Sequence, residues 1–148
     1  MENQFMDFDP NGLAEDNGQL YGLPFTIENA KLVIIPVPWE VTVSYGAGAS
    51  EGPEAVLDAS FQVDLNHQDF PELWKLGMYY AEIPDSWKTN SDKYKALAQP
   101  IIEALEDGQN IAEIPALKAD LDKINTVCRD LHSEVKETVL HWMNQGKK

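Results

Sequence analysis

The hexapeptide "DLNHQD" places two carboxylates and an imidazole close together, at Asp64, His67 and Asp69. Carboxylate oxygens and imidazole nitrogens are suitable ligands for a divalent metal ion. The hexapeptide lies in a turn-rich region, however, where Asp, Asn and His side chains commonly make hydrogen bonds to the nearby backbone. Because no rigid element is predicted to hold the three side chains, we favour local hydrogen bonds and assign no metal ligand in this sequence.

The other histidines and the single cysteine fall within one long predicted helix. His132 and His141 are nine residues apart. At ~100° per residue they lie about 180° apart around the helix axis, so they cannot bind one ion together. Cys128 falls on the apolar face of the same helix and is expected to be a small core residue rather than a nucleophile. No catalytic residue is assigned.

A long glycine-containing segment, "PVPWEVTVSYGAGASEGPEA" at residues 36–55, follows the apolar run "KLVII". In open α/β sheets, ligands bind at the carboxyl ends of the strands, where such loops lie. Glu40, Ser44 and Tyr45 could direct polar groups toward a pocket there. The alternative is a long connection held in place by the packing of Trp39 and Tyr45. The residues alone leave both interpretations open.

The glycines of this segment do not form a nucleotide-binding fingerprint. The sequence "GAGASEG" lacks the Lys-Ser/Thr pair that a phosphate-binding P-loop requires. The spacing of Gly46, Gly48 and Gly52 also differs from the G-x-G-x-x-G of a dinucleotide-binding turn. A nucleotide-binding domain is therefore weakly supported.

Two apolar runs predict the strands that would position the loop. Residues 31–37 form a near-continuous β-branched run, which is typical of a strand covered on both faces in a parallel sheet. Pro36 marks the end of this strand or a bulge in it, because proline donates no ladder hydrogen bond. Residues 76–83 predict a second strand. Residues 1–30 show no sustained period and are interpreted as an irregular N-terminal arm.

Three helices are predicted as well. Residues 51–64 open with Gly-Pro and form a helix in which Val56 and Ala59 share a face. Residues 91–108 form a second helix, with a kink expected at the internal Pro100.

The third helix is the clearest, because its apolar residues recur at spacings of three and four between an opening Pro115 and a closing Gly146. The stripe consists of Leu117, Leu121, Ile124, Cys128, Leu131, Val135, Val139 and Trp142. A helix of this length exceeds the usual dozen or so residues. We expect it either to bend or to pack on a partner.

Composition excludes several functional classes. The 148 residues include 25 acidic and 11 basic side chains, a formal net charge of −14. Nucleic acid would be repelled by such a chain. The lone cysteine excludes an intramolecular disulfide and fits a reducing compartment. The acidic N-terminus does not resemble a signal peptide, and no apolar run is long enough to cross a bilayer. We therefore expect a cytoplasmic protein that binds neither nucleic acid nor membrane.

The order of the elements predicts the α/β class with a mainly parallel sheet. Two strands and three helices are too few to cover a parallel sheet on both faces. The chain also ends at "QGKK", where a further buried strand would be expected. From these features we expect residues 31–148 to be an incomplete N-terminal portion of a single larger domain.

The segment at residues 36–55, together with the preceding "LVII", resembles the N-terminal signature of the ureohydrolases, a family that includes arginases, agmatinases and formiminoglutamases. In that signature a strand leads to Val-Pro, an aromatic residue and an acid, then to Ser-Tyr, a Gly, and Gly-Pro with an Ala two residues later. The matching positions are Pro38, Trp39, Glu40, Ser44, Tyr45, Gly48, Gly52, Pro53 and Ala55. Family members commonly have Arg-Pro after the Tyr, and the Gly46-Ala47 found here resembles a divergent, agmatinase-like branch.

The resemblance implies a three-layer αβα fold, assembly into trimers or hexamers, and two manganese ions that act on a small cationic amidine or guanidino substrate. The family's metal ligands come from Gly-Gly-Asp-His, Asp-x-His-x-Asp and Asp-x-Asp segments further along the chain. We assign none of these ligands here, and "DLNHQD" does not have the required spacing. The resemblance therefore implies no metal site in this chain and only a substrate-side loop role for Glu40, Ser44 and Tyr45.

Taken together, residues and resemblance predict the N-terminal fragment of a manganese-dependent, metal-binding hydrolase of C–N bonds in linear amidines, one that is inactive alone. The alternative is a self-contained acidic module for binding or oligomerisation that uses the long C-terminal helix as its contact surface.

Overall fold

The computed structural model describes residues 8–43 and 45–148, and the structural statements below refer to this part of the chain. The described residues form two strands and three helices in the order β1 (Leu32–Ile34), α1 (Gly52–Ser60), β2 (Met78–Tyr80), α2 (Ser86–Glu106) and α3 (Pro115–Asn144). Short 3-10 turns occur at Leu20–Gly22, Ala49–Glu51, Leu73–Leu76 and Ile111–Glu113. None of the described helices is long and apolar enough to cross a membrane.

The two strands pair in parallel, with Val33 opposite Tyr79 at the centre of the register. A parallel pair of strands and a mixture of helices are compatible with the predicted α/β class. Both strands are shorter than the predicted spans. The run at 31–37 ends as a strand before Pro36, consistent with the missing N–H. The run at 76–83 begins with a 3-10 turn and Gly77 at φ 76°, so its strand starts only at Met78.

The ends of the first two helices differ from the prediction. α1 ends at Ser60, four residues before the predicted end, and its predicted apolar face is not buried: Val56 is 59% exposed and Ala59 is also exposed. α2 begins at Ser86, five residues before the predicted start, and continues through Pro100.

Residue contacts divide the chain into two units. The first comprises the residues up to Pro36, Pro53–Glu82 and His141–Lys148. Its core is a cluster of Leu23, Phe25, Ala30 and Trp74, against which Met78 and Tyr79 of β2 pack. Gly77 lies so close to this cluster that a Cβ there would approach the Phe25 ring to 2.7 Å. A side chain at this position, where φ is also positive, would therefore displace the core.

The second unit comprises Val37–Gly52 and Ile83–Leu140. Its core is formed by α2, α3 and the beginning of the loop that follows β1. The buried residues are Val41, Ala98, Ile101, Ala104, Ile111 and Ile124. Cys128 packs against them and is partly buried, which confirms the core interpretation of this residue.

The apolar stripe of α3 is buried unevenly. Ile124 is 2% exposed and Leu131 is 5% exposed, whereas Val139 is 38% exposed. The predicted stripe is therefore a packing surface over its middle part, and it becomes accessible toward the end of the helix.

The residues that follow α3 are fixed beside β1. The ammonium of Lys147 donates to the backbone carbonyls of Ile27, Glu28 and Ala30, at 2.5, 2.9 and 2.7 Å.

Lys148 makes two backbone hydrogen bonds to the same strand region. Its N–H donates to the Lys31 carbonyl at 2.8 Å, and its carbonyl accepts from the Val33 N–H at 2.9 Å. This is the pattern of a parallel strand pair. Since Leu32 donates to Gly77 and Ile34 accepts from Ala81, the bonds to Lys148 lie on the edge of β1 that faces away from β2.

Candidate functional site

Glu40 is a buried acid in the loop that follows β1. The residue is only 4% exposed. One carboxylate oxygen, Oε2, accepts from the backbone N–H groups of Gly48 at 2.6 Å and Ser50 at 3.2 Å. The other oxygen, Oε1, accepts from the Lys95 ammonium. Both oxygens are therefore engaged within the protein.

The backbone of Glu40 is fastened as well. Its N–H donates to the hydroxyl of Ser91 at 2.7 Å, and Ser91 is fully buried. Ser91 and Lys95 are one helical turn apart on α2, so they lie on the same face of the helix. One turn of α2 thus holds both the backbone and the side chain of Glu40.

The environment of Glu40 stabilises its charged form. The hydrogen bond from Lys95 is the largest cause, and the N–H groups of Gly48 and Ser50 act in the same direction. Against the opposing effect of burial, these groups lower the pKa of the Glu40 carboxyl from 4.5 to about 2. Glu40 is therefore an anion at neutral pH and is not available as a general acid.

The carboxylate also lies at the amino end of a helical segment. Gly48 precedes the 3-10 turn Ala49–Glu51, which continues directly into α1. The first N–H groups of a helical segment have no partner within it and carry a partial positive charge. Glu40 supplies the acceptor for two of them. Gly48 adopts φ 129°, a conformation that glycine accepts most readily.

Tyr45, by contrast, points into solvent and is 95% exposed. Ser44 lies outside the described residues. Glu40 and Tyr45 therefore do not converge on one pocket: the acid is turned into the protein, and the aromatic ring is turned out. A substrate-side role for Glu40, Ser44 and Tyr45 stays a prediction.

The cluster at Asp64, His67 and Asp69 lies on the surface, with all three residues exposed. The ring nitrogen Nδ1 of His67 accepts from the Asp69 N–H at 3.3 Å, which is a local turn hydrogen bond. In residues 8–43 and 45–148, no group of three or more His, Cys, Asp or Glu side chains could hold a metal ion. The manganese pair implied by the resemblance therefore does not fit the described residues.

A cavity of about 570 Å³ occurs in the first unit. Its walls are residues 8–14, Tyr21 and residues 61–66, which include Asp64. Neither Glu40 nor Tyr45 lines it.

Ser91 and Lys95 were not predicted as partners of Glu40, because they lie 51 and 55 residues from it along the chain. A weak signal was present. Trp87, Ser91, Ala98 and Ile101 form the buried face of α2, so Ser91 is a polar residue on an otherwise apolar face. A buried polar side chain needs a hydrogen-bond partner, which makes such a position informative.

This chain shares part of its sequence with a known protein. It is similar to an N(1)-aminopropylagmatine ureohydrolase of Synechocystis sp., with 32% identity over 93 residues. The alignment covers 58% of this chain and 30% of the relative's length. No family model matches the chain, and no solved structure matches it either.

This similarity supports the resemblance to the ureohydrolase family that the segment at residues 36–55 indicates.

Proposed function

We propose that this chain forms the N-terminal part of an agmatinase-like ureohydrolase, which hydrolyses a C–N bond of a linear amidine or guanidino compound. The observation that carries the proposal is the similarity to the N(1)-aminopropylagmatine ureohydrolase, together with the signature loop at residues 36–55. The chain spans about 30% of the relative's length, and we propose that the activity requires a larger protein rather than this part alone.

The proposed substrate is a small cation, and the chain carries a formal net charge of −14. An acidic protein attracts cationic ligands and raises their local concentration. Agmatine, arginine and N(1)-aminopropylagmatine are the cationic candidates to test. Formiminoglutamate, whose two carboxylates outweigh its amidinium, is tested beside them as a candidate that the acidic chain would not attract. The loop carrying Tyr45 is proposed as a wall of the substrate site, without a catalytic role for any residue of this chain.

The remaining features are proposed from the family resemblance. They are two manganese ions in the complete enzyme, assembly of the enzyme into trimers or hexamers, the three-layer αβα fold and a cytoplasmic location. Paired divalent ions would supply an activated hydroxide for the hydrolysis. The described residues would not hold these ions, because they provide no suitable group of ligands.

The inactivity of the chain alone can be tested directly. The purified chain is incubated with Mn²⁺ and each candidate substrate, and the release of urea or formamide is measured. We expect no release above that of a sample without protein. Sustained release would contradict the proposed dependence on residues outside this chain.

A hybrid enzyme tests the family function itself. The 93-residue aligned segment of this chain replaces its counterpart in the Synechocystis ureohydrolase, and urea release from N(1)-aminopropylagmatine is measured with Mn²⁺. We expect measurable activity, because a homologous segment should provide the same substrate wall. A hybrid that folds and assembles like the parent enzyme but releases no urea would count against the proposal.

The alternative function, an oligomerisation module, is favoured by the exposed apolar residues near the end of α3. Leu140 is 45% exposed and Met143 is 59% exposed. Sedimentation of the chain distinguishes this function: a stable oligomer that a Leu140→Lys substitution dissociates would favour the module, and a monomer would argue against it.

A further inference from the structure

The amino end of the Ala49–Glu51 turn is a place where a protein could bind an external anion, because unpaired N–H groups and the helix dipole favour negative charge there. In this chain a carboxylate of the protein itself occupies this anion-binding position. The Glu40 carboxylate accepts from Gly48 and Ser50, and Lys95 provides the balancing cation.

These contacts close a loop. Glu40 lies at one end of the loop and Gly48 at the other, and the carboxylate joins the two ends through a 2.6 Å hydrogen bond. The Glu40 N–H bond to Ser91 fixes the first end to α2. Tyr45 lies between the two ends and is 95% exposed.

We propose that Glu40 and Lys95 are positioning residues, which lock the two ends of the loop, Glu40 and Gly48, to each other and to α2 and thereby present Tyr45 outward, and that neither residue contacts the substrate. The assignment of this loop to the substrate side rests on the proposed function. The locking itself does not, because every contact that produces it lies within this chain.

The burial of Glu40 argues against direct contact with a substrate. A cationic substrate would need a free carboxylate oxygen, but the Glu40 side chain is only 1% exposed and both of its oxygens accept hydrogen bonds. Release of the carboxylate would leave the N–H groups of Gly48 and Ser50 without their acceptor. The cost is greatest at Ser50, because this residue is buried and an unpaired buried donor is destabilising. The charged group that faces Glu40 from α2 is Lys95.

The first test replaces the internal anion by an external one. In Glu40→Ala, the amides of Gly48 and Ser50 lose their acceptor, so we expect their hydrogen exchange to become about tenfold faster or more, as loss of a hydrogen bond to a charged group implies. Added formate can enter the vacated space, accept the same hydrogen bonds and slow the exchange again. The matched control is Glu51→Ala, which removes a nearby carboxylate that pairs with Lys88 and accepts from the Ser50 hydroxyl. In this variant formate should change nothing.

The second test uses the titration of Glu40, followed through the amide chemical shifts of Gly48 and Ser50. In the unaltered chain we expect the midpoint near pH 2, the lowered pKa of Glu40. In Lys95→Met the largest cause of the lowered pKa is lost, so the midpoint should move up toward 4.5. The control Lys88→Met removes another α2 lysine, one that pairs with Glu51 and Asp92, and should leave the midpoint unchanged.

Two results would contradict the proposed positioning role. One is unchanged amide exchange at Gly48 and Ser50 in a folded Glu40→Ala chain. The other is an equal shift of the Glu40 titration midpoint in Lys95→Met and Lys88→Met. If Glu40→Ala does not fold, Glu40→Gln replaces it, and this variant should show intermediate exchange at Gly48 and Ser50 because one acceptor oxygen remains. These measurements use the chain without substrate. An inactive hybrid enzyme with a locked loop would therefore refute the proposed function and leave the positioning role intact.

Discussion

At the scale of single residues, Glu40 illustrates how a carboxylate can be both charged and buried. Burial opposes ionisation, but an ammonium and two N–H groups provide more stabilisation than the burial removes. The net result is a pKa of about 2. A buried and ionised acid of this kind contributes to stability only as long as it stays ionised.

The pH dependence of stability should reveal this contribution. Because the pKa of Glu40 is lower in the folded state than its ordinary 4.5, its stabilising effect is complete above about pH 4.5 and is lost as the pH falls toward 2. Glu40→Gln cannot ionise. We therefore expect the variant to be less stable than the unaltered chain at pH 7, and the difference in the free energy of unfolding to shrink below pH 4.5.

Urea unfolding at a series of pH values measures this difference. Glu137→Gln serves as the control, because Glu137 is exposed on α3. A pH-independent difference between Glu40→Gln and the unaltered chain would mean that the carboxylate charge does not stabilise the loop.

The sequence alone predicted the loop residues of this arrangement but not the α2 residues that hold Glu40. The acid at position 40 and the glycines at 46, 48 and 52 were visible as a candidate site within one short segment. Lys95 and Ser91 were not, because helical periodicity predicts which residues share a face but not which distant loop the face contacts. The direction of Glu40, inward rather than toward a ligand, depended on those two partners.

At the scale of elements, the predicted types were right, and α3 begins at Pro115 as predicted, but both strands and the end of α1 and start of α2 differ from the prediction. β-branched runs and apolar spacing of three and four identify strands and helices, but the ends depend on local contacts. The second strand illustrates the difference: its apolar run starts at Leu76, yet Leu73–Leu76 forms a 3-10 turn and the pairing with β1 starts at Met78. The apolar run alone does not separate the turn from the strand.

The uneven burial of the α3 stripe predicts unequal effects of similar truncations. Ile124 lies in the core of the second unit and is 2% exposed, so Ile124→Ala should reduce the free energy of unfolding by about 2–5 kcal/mol. Val139 belongs to the same stripe but is 38% exposed, and Val139→Ala should cost less than about 1 kcal/mol. Urea unfolding compares the two variants. Equal costs would show that the end of the stripe is covered in solution.

The end of α3 provides a second test at this scale. Lys147 donates to three backbone carbonyls, and its removal leaves these acceptors without a cation. We expect Lys147→Met to cost about 1–3 kcal/mol in the free energy of unfolding. It should also speed hydrogen exchange at Val33, which donates to the Lys148 carbonyl.

Lys148→Met is the matched control for this substitution. The contacts of Lys148 with β1 are made by its backbone, so its side chain should be dispensable. Faster exchange at Val33 in both variants would show that the loss of any positive charge in this region, rather than the three hydrogen bonds, loosens the strand.

At the scale of the whole molecule, the dominant feature is the excess of acid. With 25 acidic and 11 basic side chains, most carboxylates have no basic side chain to pair with. The ion pairs of exposed residues, such as Lys118 with Asp122, are worth about 0–1 kcal/mol each. Repulsion among the remaining acids opposes the compact state over longer distances.

Salt should therefore stabilise the chain at neutral pH. Raising the NaCl concentration from about 10 mM to about 0.3 M shortens the distance over which charges interact and weakens the long-range repulsion more than the close pairs. We expect the urea midpoint at pH 7 to rise over this range. At the pI, about pH 4.4, the net charge is near zero and the same salt increase should have little effect. A midpoint that falls with salt at pH 7 would show that the ion pairs, with Glu40–Lys95 the most buried of those described, outweigh the net charge in stabilising this chain.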